Sequence, residues 1–180
     1  KDWKYLGEVT PRDVIKLSSN IGAAKISRKL SKKELINFLD TIGFGQSLFL
    51  NLPGSKNGFL PTVSELSDAE HFTLGYGYGL SSSLMHLISA YLTLANNGNR
   101  TQLKYLQSKE GYNYEKILNE KNTSIVLDMM KDVVHSDNGT GKKAKVDGYT
   151  IYGKTGTVRQ IFNGEYSKNR HNALFVGIIG

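Results

Sequence analysis

Apolar residues recur every three to four positions after the Thr10-Pro11 pair, and this spacing predicts a first helix. A threonine hydroxyl can cap the first backbone amides, and proline at the first helical position sacrifices no hydrogen bond. Ser31 and Glu34 have capping-box spacing and predict a second helix, which Gly43 can end in a left-handed conformation. The pattern therefore indicates a helical hairpin. The apolar positions of its first helix are Val14, Ile15, Leu17, Ile21, Ala24 and Leu30.

Two further helices are indicated in the middle of the chain. One spans roughly residues 84–96, with Ser82 or Ser83 as its cap and Gly98 as its terminator. The other begins at Asn122 or Thr123. Glycines and prolines over residues 44–61 predict an extended loop before these helices. The apolar face of the former helix, which we expect to pack in the core, consists of Leu84, Leu87, Ile88, Tyr91 and Ala95. The latter carries Ile125, Val126, Met129, Met130 and Val133.

The last part of the chain has the alternation of a β-hairpin. Residues 149–158 alternate β-branched and aromatic side chains with small ones, and a turn-rich segment from Asn163 to Asn172 leads into the apolar run Ala173 to Ile179. Helices followed by a hairpin indicate an α+β fold, with a mainly helical part at 1–135 and a strand hairpin at 136–180. Because the apolar strand is the last element, we expect unpaired edges that favour self-association.

Composition and charge narrow the function classes. The chain has 180 residues, of which 39% are hydrophobic and 22% charged, as in a globular domain. The formal charge of +7 comes from lysines spread in short pairs such as Lys32-Lys33, without interleaved stacking aromatics, so we expect a solvated basic surface and no nucleic-acid partner. Four scattered histidines and the absence of cysteine predict no metal site, and no cofactor is expected.

Two short motifs carry chemistry. Ser18-Ser19-Asn20 lies on the first predicted helix, where Ser18 and Asn20 would flank one turn near the same edge, and Lys154-Thr155-Gly156-Thr157 lies on the first strand of the hairpin. Each is weak alone. Together with Gly77-Tyr78-Gly79-Leu80-Ser81 and Gly139-Thr140-Gly141, they resemble the class B penicillin-binding proteins, whose third signature is a Ser-x-x-Lys nucleophile.

This resemblance covers the whole chain and implies a fold and a reaction. Among these proteins, the sequence most resembles the cell-division, septum-specific peptidoglycan D,D-transpeptidase, with the elongation-specific relative as the alternative. The implied fold is the penicillin-binding protein/β-lactamase-like transpeptidase fold, present in part as a helical subdomain plus antiparallel strands. No serine of the chain has lysine three positions later. We therefore expect a C-terminal portion of the domain that lacks the nucleophile and is inactive alone.

The resemblance also implies catalytic roles. The serine of the complete enzyme would attack the bond between two terminal D-alanines of a stem peptide and form an acyl-enzyme. Ser18 is then suited to pass a proton to the departing amine, and Asn20 to bind a substrate amide. Lys154 would hold the Ser18 hydroxyl and attract the substrate carboxylate.

The neighbouring positions would bind substrate. Thr155 and Thr157 offer hydroxyls to the carboxylate, and Gly156 lets the substrate lie against the strand. The backbone amide of Thr157 would be one oxyanion donor. Tyrosines at 76, 78 and 152 are candidates for the wall of the cleft.

Partners and location follow from the same resemblance. We expect stem peptides ending in D-Ala-D-Ala, β-lactams and divisome proteins as partners, and an inner-membrane protein whose catalytic domain faces the periplasm. The longest apolar run, residues 173–179, is far shorter than the roughly 18 residues of a spanning helix, so the anchor is not expected in this chain. Two other hypotheses remain: a non-catalytic scaffold that has kept the fold, and a class A β-lactamase or carboxypeptidase.

Overall fold

A computed structural model describes residues 2, 4–48, 54–104, 111–162 and 165–180. The helices are α1 Pro11–Lys16, α2 Asn20–Ser27, α3 Lys32–Thr41, α4 Asp68–Leu74, α5 Leu84–Ala95 and α6 Glu120–His135, followed by a short 3₁₀ turn at Lys142–Ala144. The strands are β1 Asn99–Thr101, β2 Tyr114–Lys116, β3 Ile151–Phe162 and β4 Glu165–Ile179. They form two separate antiparallel pairs, β1 with β2 and β3 with β4. The helices and antiparallel strands together form the expected α+β fold.

The first predicted helix is in fact two helices. Thr10 caps α1 in a capping box with Asp13, as expected, but α1 ends at Lys16 and α2 begins at Asn20. Between them Ser18 has a φ of 55°, which breaks the helical path. The prediction that Ser18 and Asn20 flank one turn of a single helix is therefore wrong. The second helix matches its prediction, with Ser31 and Glu34 forming the capping box of α3.

A small apolar core lies between α3 and α4. It contains Leu35, Ile36, Leu66 and Leu74, with Leu39, Leu60 and Leu80 packed against it. The helix α4 and the pair β1 and β2 were not predicted. The capping box of α4, Ser67 with Glu70, is visible in the sequence and could have indicated this helix.

The helix α5 has the predicted bounds and cap, but a different buried face. Ser83 caps it, and the residues that it buries are His86, Ser89 and Thr93. His86 is held by the Ser83 hydroxyl at 2.7 Å and by the Gln46 carbonyl at 2.9 Å. The predicted core face is wrong, because Leu84 is 63% exposed and Ile88 45% exposed.

The helix α6 supports the hairpin of β3 and β4. It begins at Glu120 after the cap Asn119, earlier than the predicted Asn122 or Thr123. Val133 and Val134 are fully buried at its C-terminal end. Arg12 ties α1 to the same helix by ion pairs with Asp128 and with Asp132, the latter at 2.8 Å. The helix α6 thus packs against both α1 and β3, next to which the two sequence motifs lie.

The hairpin is longer than its sequence pattern indicated. β3 continues to Phe162 and β4 starts at Glu165, so most of the predicted turn-rich segment 163–172 is strand, while Asn163 and Gly164 lie outside the described residues. Lys154 pairs with Val176 across the ladder. No helix within the described part of the chain has the length and apolar character needed to cross a membrane.

Candidate functional site

The site is built where the turn between α1 and α2 meets β3. The Lys154 ammonium donates a hydrogen bond to Ser18 Oγ at 2.7 Å, although the two residues are 136 positions apart. The prediction that the two motifs meet in space is confirmed. Lys154 also donates to the Thr155 carbonyl at 2.8 Å.

Local packing gives the turn its shape. The Ser18 and Ser19 amides donate to the carbonyls of Ile15 at 3.3 Å and Val14 at 3.0 Å, which closes the end of α1. Gly22 brings α2 close to α1, because a Cβ at this position would lie 2.3 Å from a Val14 methyl. Ser18 is left in a left-handed conformation with its hydroxyl directed toward β3.

Burial alters the acid-base behaviour of Lys154. Desolvation lowers the pKa of its ammonium from 10.5 to about 8. The group is therefore mostly charged at neutral pH, and it can exchange a proton with Ser18 more readily than an exposed lysine. A cation next to a hydroxyl is an arrangement that can polarise the hydroxyl and relay a proton.

Thr140 ties the strand to the end of α1. Its hydroxyl accepts a hydrogen bond from Thr155 Oγ1 at 2.9 Å and donates to the Lys16 carbonyl at 3.2 Å. Gly139 allows this close approach, because a Cβ there would lie 2.3 Å from the Val133 carbonyl oxygen. Two hydroxyls and one carbonyl thus align β3, the loop after α6 and α1.

An open cleft of about 900 Å³ lies over this junction. Five of the six predicted site residues line it, and Lys154 reaches it through Ser18. Two of the three candidate tyrosines, Tyr76 and Tyr78, form part of the wall with ring centroids 5.6 Å apart. Tyr152 is not a lining residue, which corrects its prediction. Among the described residues, those that line the cleft are Asp2, Leu17, Ser18, Asn20, Tyr76, Tyr78, Thr140, Thr155, Gly156, Thr157, His171, Ala173 and Leu174.

Comparison with known proteins decides the family. The sequence-family model of the penicillin-binding protein transpeptidase domain matches residues 1–180. The chain belongs to this family. Its similarity to the probable peptidoglycan D,D-transpeptidase PenA of Neisseria gonorrhoeae is 32% identity over 166 residues, which is 92% of this chain and 28% of PenA. The peptidoglycan D,D-transpeptidase FtsI of Buchnera aphidicola is 31% identical over 177 residues, 98% of this chain and 31% of FtsI.

Solved structures agree with this family and fold. The apo TP domain of Burkholderia pseudomallei penicillin-binding protein 3 superposes with a TM-score of 0.91 at 32% identity, over 98% of this chain and 54% of that one. Penicillin-binding protein 3 of Mycobacterium tuberculosis in complex with ampicillin superposes with a TM-score of 0.85 at 28% identity. The match covers 94% of this chain and 41% of that one. The chain therefore spans about half of these structures or less, and about a third or less of the two curated relatives.

Several cleft residues escaped sequence reasoning. Asp2 and His171 are far in sequence from Ser18, and no local pattern marks either as part of a site. Thr140 contributed to the resemblance, yet its contact with Thr155 could not be derived from spacing. Among the described residues, no cluster of three potential metal ligands occurs.

Proposed function

We propose that the chain forms one side of the active site of a peptidoglycan D,D-transpeptidase. The hydrogen bond from Lys154 to Ser18 at the edge of an open cleft carries this proposal, because it joins a proton-relay hydroxyl to a cation that is held in place. The nucleophilic serine would come from a Ser-x-x-Lys segment that this sequence does not contain. The membership of the family supports the reaction class.

The reaction is an acyl transfer in two steps. The serine hydroxyl adds to the carbonyl between two D-alanines, the C–N bond breaks, and the proton reaches the departing D-alanine amine through Ser18. An amine of a second stem peptide then adds to the acyl carbonyl, the C–O bond to the serine breaks, and the amine gives up a proton that returns to the serine oxygen, which leaves the crosslinking amide. Asn20 holds a substrate amide, and the charge on Lys154 favours the terminal carboxylate.

The strand β3 orients the acyl donor in this proposal. Thr157 donates a hydroxyl hydrogen bond to the carboxylate, and Thr155 does so once its hydroxyl rotates away from Thr140, to which it donates in the structure. The Thr157 amide stabilises the developing oxyanion. Gly156 leaves room beside the strand, since a Cβ there would have only Leu174 Cβ within 4 Å, at 3.7 Å. The same groups would receive a β-lactam, whose ring mimics the D-Ala-D-Ala end.

We further assign the chain to septal wall synthesis, on the periplasmic side of an inner membrane and in contact with divisome proteins. The relatives named FtsI favour this assignment over the elongation-specific alternative. A non-catalytic scaffold that has kept the fold is the second candidate function, and an upstream Ser-x-x-Lys segment in the protein that contains this chain would decide between the two.

Labelling with a fluorescent penicillin tests the proposal. The 180-residue chain should remain unlabelled after denaturing electrophoresis, because it has no acyl-accepting serine. The protein that contains this chain together with an upstream Ser-x-x-Lys segment should be labelled, and Lys154→Met should reduce its labelling by at least about 100-fold. Lys131→Met, on the exposed face of α6, is the control and should leave labelling unchanged. An unlabelled complete protein would favour the scaffold.

A further inference from the structure

A carboxylate near the start of the chain is bound to the turn that carries the site. Asp2 accepts a hydrogen bond from the Ser19 hydroxyl at 2.7 Å with one oxygen, and from the Ile21 amide at 3.1 Å with the other. The carboxylate thus spans the first turn of α2, where helix amides have no partner within the helix.

Ser19 is a buried link in this arrangement. It is 4% exposed, its oxygen caps α2 by accepting from the Gly22 amide at 2.9 Å, and its proton goes to Asp2. Without Asp2 the Ser19 proton and the Ile21 amide would both lose their acceptor. A buried hydroxyl without a partner then favours a different rotamer or a shifted turn.

The two residues that face the cleft lie on either side of Ser19. Ser18 precedes it in a left-handed conformation, which is unfavourable for a non-glycine residue, and Asn20 follows it as the first residue of α2. Asp2 lines the same cleft as both of them. A restraint on Ser19 therefore sets the direction of both cleft side chains.

The same hydrogen bonds affect the acidity of Asp2. Partial burial alone would raise the pKa of its carboxyl, but donation from the Ser19 hydroxyl and from the Ile21 and Asn20 amides lowers the pKa below its usual value. The carboxylate form is thus the one that the turn binds at neutral pH.

We infer that Asp2 is a positioning residue, which holds Ser18 and Asn20 in register with Lys154 by accepting hydrogen bonds from Ser19 and Ile21. The inference rests on the proposed function for its catalytic consequence, but its structural part does not. Asp13 provides a matched control, because it is also a capping carboxylate, at the other end of α1 and outside the cleft lining.

Amide hydrogen exchange in the 180-residue chain tests the structural part. In Asp2→Asn and in Ser19→Ala, we expect the Ser19 amide to exchange at least about tenfold faster, although its own acceptor is the Val14 carbonyl and not Asp2. Asp13→Asn should leave that amide within twofold of the parent. If only the Ile21 amide accelerates, Asp2 does not control the turn and the inference fails.

Acylation kinetics in the complete transpeptidase test the catalytic part. Asp2→Asn should lower the first-order acylation rate by a β-lactam by about 10- to 100-fold with little change in initial binding, and the double variant with Ser19→Ala should lose no more than the worse single variant. Asp13→Asn should retain the parent rate. Equal losses in Asp2→Asn and Asp13→Asn that follow thermal stability would reduce Asp2 to a structural role. Faster exchange in a protein that no β-lactam acylates would contradict the proposed function alone.

Discussion

Ser18 adopts a backbone conformation that L residues avoid, and this gives an unusual ranking of substitutions. Ser18→Ala and Ser18→Gly both remove the acceptor of the Lys154 hydrogen bond, which we expect to cost about 1 to 3 kcal/mol. With a φ of 55°, glycine should then be more stable than alanine by about 1 kcal/mol. Urea unfolding of both variants measures this difference.

Ser136 offers the control pair for this ranking, since its φ is −86°. There, glycine should be less stable than alanine by about 0.5 to 1 kcal/mol, as is usual. The same order at both positions would mean that Ser18 is not held in the left-handed conformation in solution.

The buried ammonium of Lys154 should make the free energy of unfolding depend on pH. Its folded-state pKa, about 8, lies below the usual lysine pKa of 10.5, so the unfolded chain binds more protons between these values. The desolvation penalty is complete below pH 8 and is relieved as the pH rises toward 10.5. The free energy of unfolding should therefore rise over this range by about 1 to 3 kcal/mol relative to Lys154→Met.

Urea titrations of the parent and of Lys154→Met at pH 7 and pH 10 give this difference, because the other titrating groups are common to both proteins. A difference that stays constant, or that changes in the opposite direction, would show that the Lys154 ammonium is well solvated.

At the scale of elements, the glycines of β3 separate packing from function. A Cβ at Gly153 would lie 2.7 Å from the Phe175 ring and 2.8 Å from Val134, so Gly153→Ala should destabilise the fold by about 1 to 3 kcal/mol. At Gly156 the corresponding space is free, so Gly156→Ala should change stability by no more than about 0.5 kcal/mol. In the complete protein it should nevertheless slow β-lactam acylation, because the methyl group would lie in the path that we propose for the substrate along β3.

Calorimetry and penicillin labelling of the two variants check this separation. Gly111→Ala is the neutral control, since a Cβ at Gly111 meets no atom of the described residues within 4 Å. Full labelling of Gly156→Ala would argue against substrate binding along β3.

The elements differ in how far their sequence determines them. Cap residues located the starts of α1, α3 and α5, because capping depends on a few adjacent positions. The break at Ser18 has no such signature. The backbone hydrogen bonds of Ser18 and Ser19 to α1 and the close approach of Gly22 to Val14 shape it, and no single residue type marks such contacts in a sequence. The predicted buried face of α5 was also wrong, because its polar face is the buried one and His86 on that face binds the carbonyl of Gln46, 40 residues away.

The site was predicted for a different reason. The contact between Ser18 and Lys154 followed from the resemblance of two motifs, and hydrophobic periodicity gave no indication of it. Asp2 and Thr140 each take part through two side-chain hydrogen bonds to residues at least 15 positions away, which only a folded chain displays.

For the whole molecule, exposed apolar surface predicts association. Leu84, Ile88 and Leu92 form a row along α5 and are 42 to 63% exposed, while Phe175 and Ile179 of β4 are 44% and 68% exposed. We expect the 180-residue chain to associate at micromolar concentrations, through the hairpin or through this row. Light scattering of the parent should show a mass above 20.0 kDa.

Glutamine variants identify the surface involved. Ile179→Gln should reduce association if the hairpin edge pairs, and Leu84→Gln with Ile88→Gln if the α5 row does. Lys131→Gln, on exposed α6 surface, should have no effect. A monomer at all concentrations would show that neither surface drives self-association.

The irregularity in the hairpin has a consequence for how this protein can vary. The register shifts between Arg159 and Ile161, while residues 151–159 pair continuously with 171–179. A slip of one residue in the continuous part would turn Lys154 to the opposite face of the ladder and away from Ser18. This irregularity separates that part from the distal end, so the distal end can gain or lose residues without changing the phase of the part next to the cleft. The part of the hairpin beyond the irregularity is therefore free to diverge in sequence while Lys154 keeps its direction.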